Sequence, residues 1–224
     1  MNVKYSPYLP ENDEEREFLA LYRTKNYPRP SVTADVAAIR IGESWNGRTG
    51  AEVLLIRRGQ FPYRNCWALP GGFFQEGETI EECALRELRE ETNLEVHSLR
   101  QIACFSRPDR DPRGWIISNA FLAVLHSDAA PNASVQAGDD AADARWFQAE
   151  FHPEGETPEL RLTCGPICIS QKFRVSSTFT SPAWLHPVTA DSAASPIPER
   201  LAFDHAEILG NAFRILAQTN PDLK

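Results

Sequence analysis

One stretch constrains this chain more than any other: Gly72–Leu94, GFFQEGETIEECALRELREETNL. A glycine loop runs directly into a helix-forming segment crowded with glutamates. Residues three and four apart are neighbours on a helix, so Glu87, Glu90 and Glu91 share one side. Like charges at that spacing cost roughly a few tenths of a kcal/mol per exposed pair, and helix formation does not ask for them. A hard cation such as Mg²⁺ removes the repulsion, because it takes oxygen ligands and keeps positions open for substrate phosphates. Arg86 can hold one of the glutamates in place. Glycine at 71 and 72 lets a backbone carbonyl approach a metal where a side chain would intrude. A solvated acidic face is the plainer reading of three glutamates alone, so the decision rests on the full spacing.

The helix carries its own start and stop signals. Thr79 followed by Glu82 is a capping-box pattern. Ile80, Ala84, Leu85 and Leu88 supply a buried stripe. Asn93 falls where a helix ends in a left-handed residue, a conformation asparagine tolerates well.

Elements on either side follow from periodicity and turn chemistry. Residues 11–25 read as a short polar helix with Phe18, Leu19 and Tyr22 on one face. Tyr27-Pro28-Arg29-Pro30 ends it in an extended arm. Strands are expected over 31–41, 51–57, 66–69, 96–105, 115–125 and 144–147, with Asn46-Gly47 as a turn. Asp111-Pro112-Arg113-Gly114 fits a type I turn. Over 149–198 the character changes. Leu160, Leu162 and Cys164, then Ile167 and Ile169, alternate around Gly165-Pro166, which predicts an added β-hairpin, and 181–198 reads as a loop. A final helix is expected over 201–217. The whole is expected to be a single domain, with 1–30 an N-terminal helix and arm, 31–148 the core, 149–198 the insertion and 199–224 the C-terminal helix.

Composition narrows the partners. The chain has 224 residues, enough for a substantial core. Its net charge of −8 argues against a general nucleic-acid surface. No apolar run approaches the ~20 residues that span a bilayer, and the N-terminus has no signal-peptide core. Cytoplasm, no membrane and no nucleic acid are the expectations. Cys66, Cys83, Cys104, Cys164 and Cys168 lack metal-ligand spacing and read as reduced thiols.

Gly72, five residues, Glu78, seven residues, Arg86-Glu87-Leu88, one residue, Glu90-Glu91, one residue, Asn93-Leu94: this spacing resembles the signature of the Nudix hydrolases. The chain departs from it once, with Asn93 where the family has glycine, and the cap argument makes that change mild. The resemblance implies an α/β fold, an α/β/α sandwich around a mixed sheet. It also implies hydrolysis of a nucleoside diphosphate linked to another group. Carried onto this sequence, Glu87, Glu90 and Glu91 bind Mg²⁺, or Mn²⁺, with the Gly71 carbonyl a further candidate ligand. Glu78 and Arg86 support them. Asp139 and Asp140 are loop candidates for the general base, with a plain polar turn the simpler role.

Segments outside the signature point to a branch. Tyr27–Thr33, Trp67–Phe73, Arg110–Gly114 and Leu201–Ala206 are similar to the ADP-ribose pyrophosphatase-like branch. ADP-ribose, cut to AMP and ribose 5-phosphate, is therefore the expected substrate, and a homodimer the expected state. Arg29, Arg57, Arg58 and Arg113 are candidates for phosphate contact. Trp67 and Phe73 are candidates for adenine, with core packing the plainer role for each. Asp204 reads as a helix cap and His205 as a packed or surface side chain. Two alternatives stay open: an ADP-ribose-sensing regulator without catalysis, and a triphosphatase that sanitises the nucleotide pool. Regulators of that kind resemble this chain but add a DNA-binding domain after the final helix. The chain ends shortly after that helix, and its glutamate set is intact, so hydrolysis is preferred.

Overall fold

The computed structural model describes residues 8–43, 49–126, 141–154, 156–176, 184–188 and 200–219. The chain divides into two compact units, Met1–Pro30 and Ser31–Lys224. In the first, helix α1 (Asp13–Arg23) starts at Asn12, whose side chain accepts from the Glu15 amide at 2.9 Å. The rings of Phe18, Tyr22 and Tyr27 contact one another in series.

The second unit is built on a ten-stranded sheet. Its strands are β1 (Ser31–Glu43), β2 (Thr49–Arg58), β3 (Trp67–Ala68), β4 (Gly71–Phe73), β5 (Arg100–Phe105), β6 (Ile116–His126), β7 (Ala141–His152), β8 (Glu159–Cys164), β9 (Ile167–Ser176) and β10 (Trp184–Pro187). The order across the sheet is β10-β9-β8-β7-β2-β1-β6-β5, with β3 paired to β2 and β4 to β1. Strands β1 and β6 run parallel, from Ser31 opposite Ile116 to Ile41 opposite His126, and the remaining pairs are antiparallel.

Strand β1 explains the layers. Its side chains alternate between faces, and both faces are covered. Ala34, Val36 and Ala38 pack with Cys83, Ala84 and Leu88 of helix α2 (Ile80–Thr92). Ala37, Ile39 and Ile41 share a core with Ile208, Leu209 and Phe213 of helix α3 (His205–Thr219). This double burial accounts for the near-continuous apolar run. The result is the expected mixed sheet between helices.

Helix α2 forms where its signals place it. Thr79 and Glu82 exchange both capping-box hydrogen bonds, at 2.7 and 3.2 Å. Asn93 closes the helix in the left-handed region at φ 57°, and its amide donates to the Arg89 carbonyl at 2.8 Å.

Elsewhere the structure corrects the sequence reading. The glycine loop is a short strand, because Gly71 and Gly72 pair with Asp35 and Ala34. The added hairpin around Gly165-Pro166 forms as expected, as β8–β9. It continues the main sheet beyond β7, and Leu160, Leu162, Ile169 and Phe173 join the α3 core. Within the expected loop lies β10, held on α3 by Asn211, whose buried side chain donates to the Leu185 carbonyl and accepts from its amide. Helix α3 begins at His205 and not at Leu201. The preceding residues are stitched to Trp67, whose amide donates to the Arg200 carbonyl and whose carbonyl accepts from Ala202. Asn46-Gly47, Asp139 and Asp140 lie outside the described residues.

Candidate active site

Gly71 and Gly72 bring β4 against both β1 and α2. A Cβ at Gly71 would stand 2.2 Å from the Ala34 carbonyl oxygen, and one at Gly72 2.5 Å from the Glu87 carboxylate. Gly71 therefore needs glycine for the close approach of backbone, while at Gly72 a side chain would displace the Glu87 carboxylate. The Gly71 amide uses that closeness to donate to Glu91 Oε2 at 2.8 Å.

Arg86 organises the other carboxylates. It donates to Glu78 through Nε at 3.0 Å and Nη2 at 2.8 Å, and to the Phe73 carbonyl at 3.1 Å. Its Nη1 reaches Glu87 at 2.6 Å and Glu90 at 3.1 Å. The Arg86 bond holds Glu78 below the usual carboxylate range. Burial pushes Glu91 up to about 8; the Gly71 amide opposes this, and Glu87 and Asp35 add to it. Burial also raises Glu87, against the pull of Arg86.

These carboxylates open into a cavity of about 340 Å³, whose walls include Asp35, Arg58, Gly71, Gly72, Phe73, Glu87, Glu91, Arg110, Asp111, Arg113, Phe203 and His205. At its back, Arg110 makes a two-point bond to Asp204 at 2.8 and 2.7 Å, both residues buried. Arg110 also lies 3.6 Å from Asp35, which accepts from the Ser118 hydroxyl. His205 accepts from the Leu69 amide through Nδ1 at 2.8 Å, so the proton of the neutral ring sits on Nε2, 3.6 Å from Asp35. Burial lowers the His205 pKa and keeps the ring neutral.

At the front, Asp111 grips Arg113 through its backbone amide at 2.9 Å and its guanidinium at 2.7 Å. Burial alone would raise Asp111, but these bonds hold it below its ordinary value. The Arg113 guanidinium carbon stands 5.1 Å from the Phe73 ring centre and 5.3 Å from that of Phe203. Arg58 meets the same Phe203 ring at 4.8 Å. Phe203 holds φ at 52°, a left-handed conformation that is costly for a bulky residue.

Set against expectation, the structure gathers Glu78, Arg86, Glu87, Glu91, Arg58, Phe73, Gly71 and Arg113 around one region. Glu90 is exposed and turned to Arg86. Trp67 is a correction: it is 1% exposed, packs edge-on against Phe147, and does not line the cavity. Asp204 stands at the start of α3 as expected, its carbonyl accepting from the Ile208 amide, but its carboxylate is committed to Arg110. Arg29 belongs to the first unit. Sequence reasoning missed Asp35, Arg110 and Phe203 as site residues. Asp35 had left a signal, a lone carboxylate inside an apolar strand.

Among the described residues no three histidine, cysteine or acidic side chains form a tight metal cluster. The donor chemistry nevertheless fits a divalent cation. Glu87 and Glu91 are half-buried carboxylates whose pKa values burial raises first and neighbouring carboxylates raise further. All the candidate donors are oxygens, as Mg²⁺ requires.

A mixed sheet between helices, with a glutamate helix against a glycine strand, defines the class, and sequence comparison agrees. The NUDIX domain family matches residues 33–161, and this chain belongs to it. It is 42% identical over 104 residues to an ADP-ribose pyrophosphatase from Methanocaldococcus jannaschii, covering 46% of this chain and 58% of that protein. It is 34% identical over 114 residues to an ADPR-responsive transcriptional repressor, NtrR, from Acinetobacter baylyi, covering 50% and 44%. The chain thus spans about half the length of these curated relatives. A MutT/nudix family crystal structure from Enterococcus faecalis superposes with a TM-score of 0.67 at 31% identity, covering 91% of this chain and 69% of that one.

Proposed function

We propose that the protein hydrolyses a nucleoside diphosphate linked to another group, with ADP-ribose, cut to AMP and ribose 5-phosphate, as the substrate. The observation that carries this reading is the convergence of Glu87 and Glu91 with Arg58, Arg113, Phe73 and Phe203 on one cavity. Its volume, about 340 Å³, suits a small molecule. The likeness to the ADP-ribose pyrophosphatase supports the choice of substrate.

Glu87, Glu90 and Glu91, with the Gly71 carbonyl, are the residues that would hold Mg²⁺, with Mn²⁺ as the alternative. Bound there, the metal would neutralise phosphate oxygens and acidify a water. The protein's own contributions follow from the geometry. The Gly71 amide fixes the direction of Glu91. Arg86 keeps Glu87 and Glu90 on one side of α2. Arg58 and Arg113 offer positive charge to the diphosphate, and Arg113 is aimed by Asp111. Phe73, 42% exposed, presents a ring face to a base. His205 serves as a positioning residue: its Nδ1 is occupied by Leu69, and its Nε2–H is directed to Asp35.

The reading is tested by incubating the protein and Mg²⁺ with ADP-ribose, NADH, sugar nucleotides and oxidised dNTPs. Turnover of ADP-ribose above the others supports it, and turnover of none removes the enzymatic claim. Likeness to the repressor makes ADP-ribose binding without cleavage the second reading. Tight binding with no product would select it, whereas preference for oxidised dNTPs would select a sanitising triphosphatase. A homodimer in the cytoplasm, with no nucleic-acid partner, completes the proposal, and light scattering of the pure protein tests the dimer.

A further inference from the structure

The buried Arg110–Asp204 ion pair has one end in each of two cavities. Arg110 lines the cavity of the glutamate helix, while Asp204 lines another of about 390 Å³. The walls of the second cavity include Phe105, Arg107, Trp184, His186 and Glu207, and none of these takes part in the chemistry proposed above.

We propose that this second cavity is a small-molecule site for a flat aromatic cation. Glu207 supplies the charge. It is 8% exposed and lies one turn after Asp204. Its Oε1 accepts from the Trp184 indole at 2.8 Å and lies 3.2 Å from His186 Nδ1. Among the described residues its Oε2 is served at long range, by Arg107 at 3.7 Å, beyond hydrogen-bond reach. Arg107 is itself drawn to Asp109 at 2.7 Å, and over half of its side chain is exposed. Oε1 is thus already partnered, while Oε2 keeps room for a closer cationic or N–H group than Arg107, and the cavity leaves space for one.

The aromatic wall defines the shape. Phe105 and Trp184 meet at 5.5 Å with their planes 47° apart, forming an angled wall and not a parallel slot. A flat ring can lie along it, and aromatic faces attract positive charge. The wall is held in place. Asn211 clamps Leu185 to α3, fixing the strand that carries Trp184 and His186, and the Trp184 indole is tied to Glu207. An anion would meet Glu207 directly, with only exposed Arg107 and half-exposed His186 to offset it.

Three probes of one shape and different charge test the site by calorimetric titration of the full chain: benzamidine, neutral benzamide and anionic benzoate. Benzamidine is expected to bind more tightly than benzamide by about tenfold or more, the worth of a hydrogen bond to a charged group. Glu207→Gln should erase that preference, and Trp184→Leu should weaken both ligands. Glu91→Gln should leave benzamidine binding unchanged, which separates this site from the glutamate helix. Circular dichroism confirms that each variant is folded. Failure of benzamidine to bind, benzoate binding as well as benzamidine, or a preference that survives Glu207→Gln and vanishes in Glu91→Gln would each overturn the proposal.

Discussion

Glu91 accepts a hydrogen bond from the Gly71 amide at 2.8 Å, so the glycine strand and the glutamate helix meet at the carboxylate that burial pushes up to about 8. This contact ties pH, metal binding and stability together. Between pH 4.5 and about 8 the folded, metal-free protein holds a proton on Glu91 that the unfolded chain has released. The folded state binds more protons, so this contribution is full below the unfolded pKa and is lost as pH rises through the folded one. Thermal melts in the presence of a chelator should show stability falling across that window. Glu91→Gln should flatten the decline, and Mg²⁺ should oppose it. A pH-independent melt would contradict the assignment.

The two glycines give separable outcomes. At Gly72 a Cβ meets the Glu87 side chain, which can swing away. Gly72→Ala should therefore stay folded and bind Mn²⁺ more weakly, as read by electron paramagnetic resonance. At Gly71 the Cβ meets β1 backbone, which cannot yield cheaply. Gly71→Ala should lose roughly 1–3 kcal/mol in urea denaturation, the usual range for overpacking.

Arg110 and Asp204, 94 residues apart, form a pair with 3% of each side chain exposed. Removing one partner leaves a buried charge and costs about 3–5 kcal/mol. Asp204→Ala should show this loss by urea denaturation. The double variant Arg110→Leu, Asp204→Leu should recover part of it, since neither member of the pair is left stranded, although Asp35, 3.6 Å from Arg110, loses its nearby cation. Equal stability of the single and double variants would show that the pair acts otherwise.

Arg58→Ala and Arg113→Ala should each raise KM for ADP-ribose by roughly tenfold or more, because each removes a charge-assisted contact to phosphate. Arg113→Lys should not restore it fully, since a lysine cannot copy the planar two-point bond to Asp111. Steady-state kinetics over a range of substrate concentrations supplies the readout.

Local signals made α2 legible in the sequence at both ends. A capping box and an αL asparagine act within a few residues, and both formed where expected. The parallel pairing of β1 with β6 was not legible, because it joins segments 85 residues apart, Ser31 with Ile116. Strand β10 is four residues long and exists through Asn211 and β9, partners that no local pattern reveals. The same reasoning covers the site. Helical spacing put Glu87, Glu90 and Glu91 on one side, but only the full Gly72–Leu94 spacing singled them out as candidates. Arg110 was visible only as the first residue of the Arg110–Gly114 segment that carries the branch resemblance, and its partner Asp204 comes from just before α3. Phe203 reaches the cavity only because Leu201 and Ala202 are stitched to Trp67 and the next residue turns through positive φ. Trp67 itself, an aromatic beside the glycine strand, was drawn into the core by the opposite face of the sheet.

Under the proposed function, Glu91 belongs to a hydrolytic centre acting on ADP-ribose. The most direct test compares AMP release from ADP-ribose and Mg²⁺ by the unaltered protein and by Glu91→Gln, with ADP-ribose binding measured on both. Turnover to AMP and ribose 5-phosphate is expected from the first, and retained binding with most turnover lost from the second. No AMP from the unaltered protein, or undiminished release by Glu91→Gln, would contradict it.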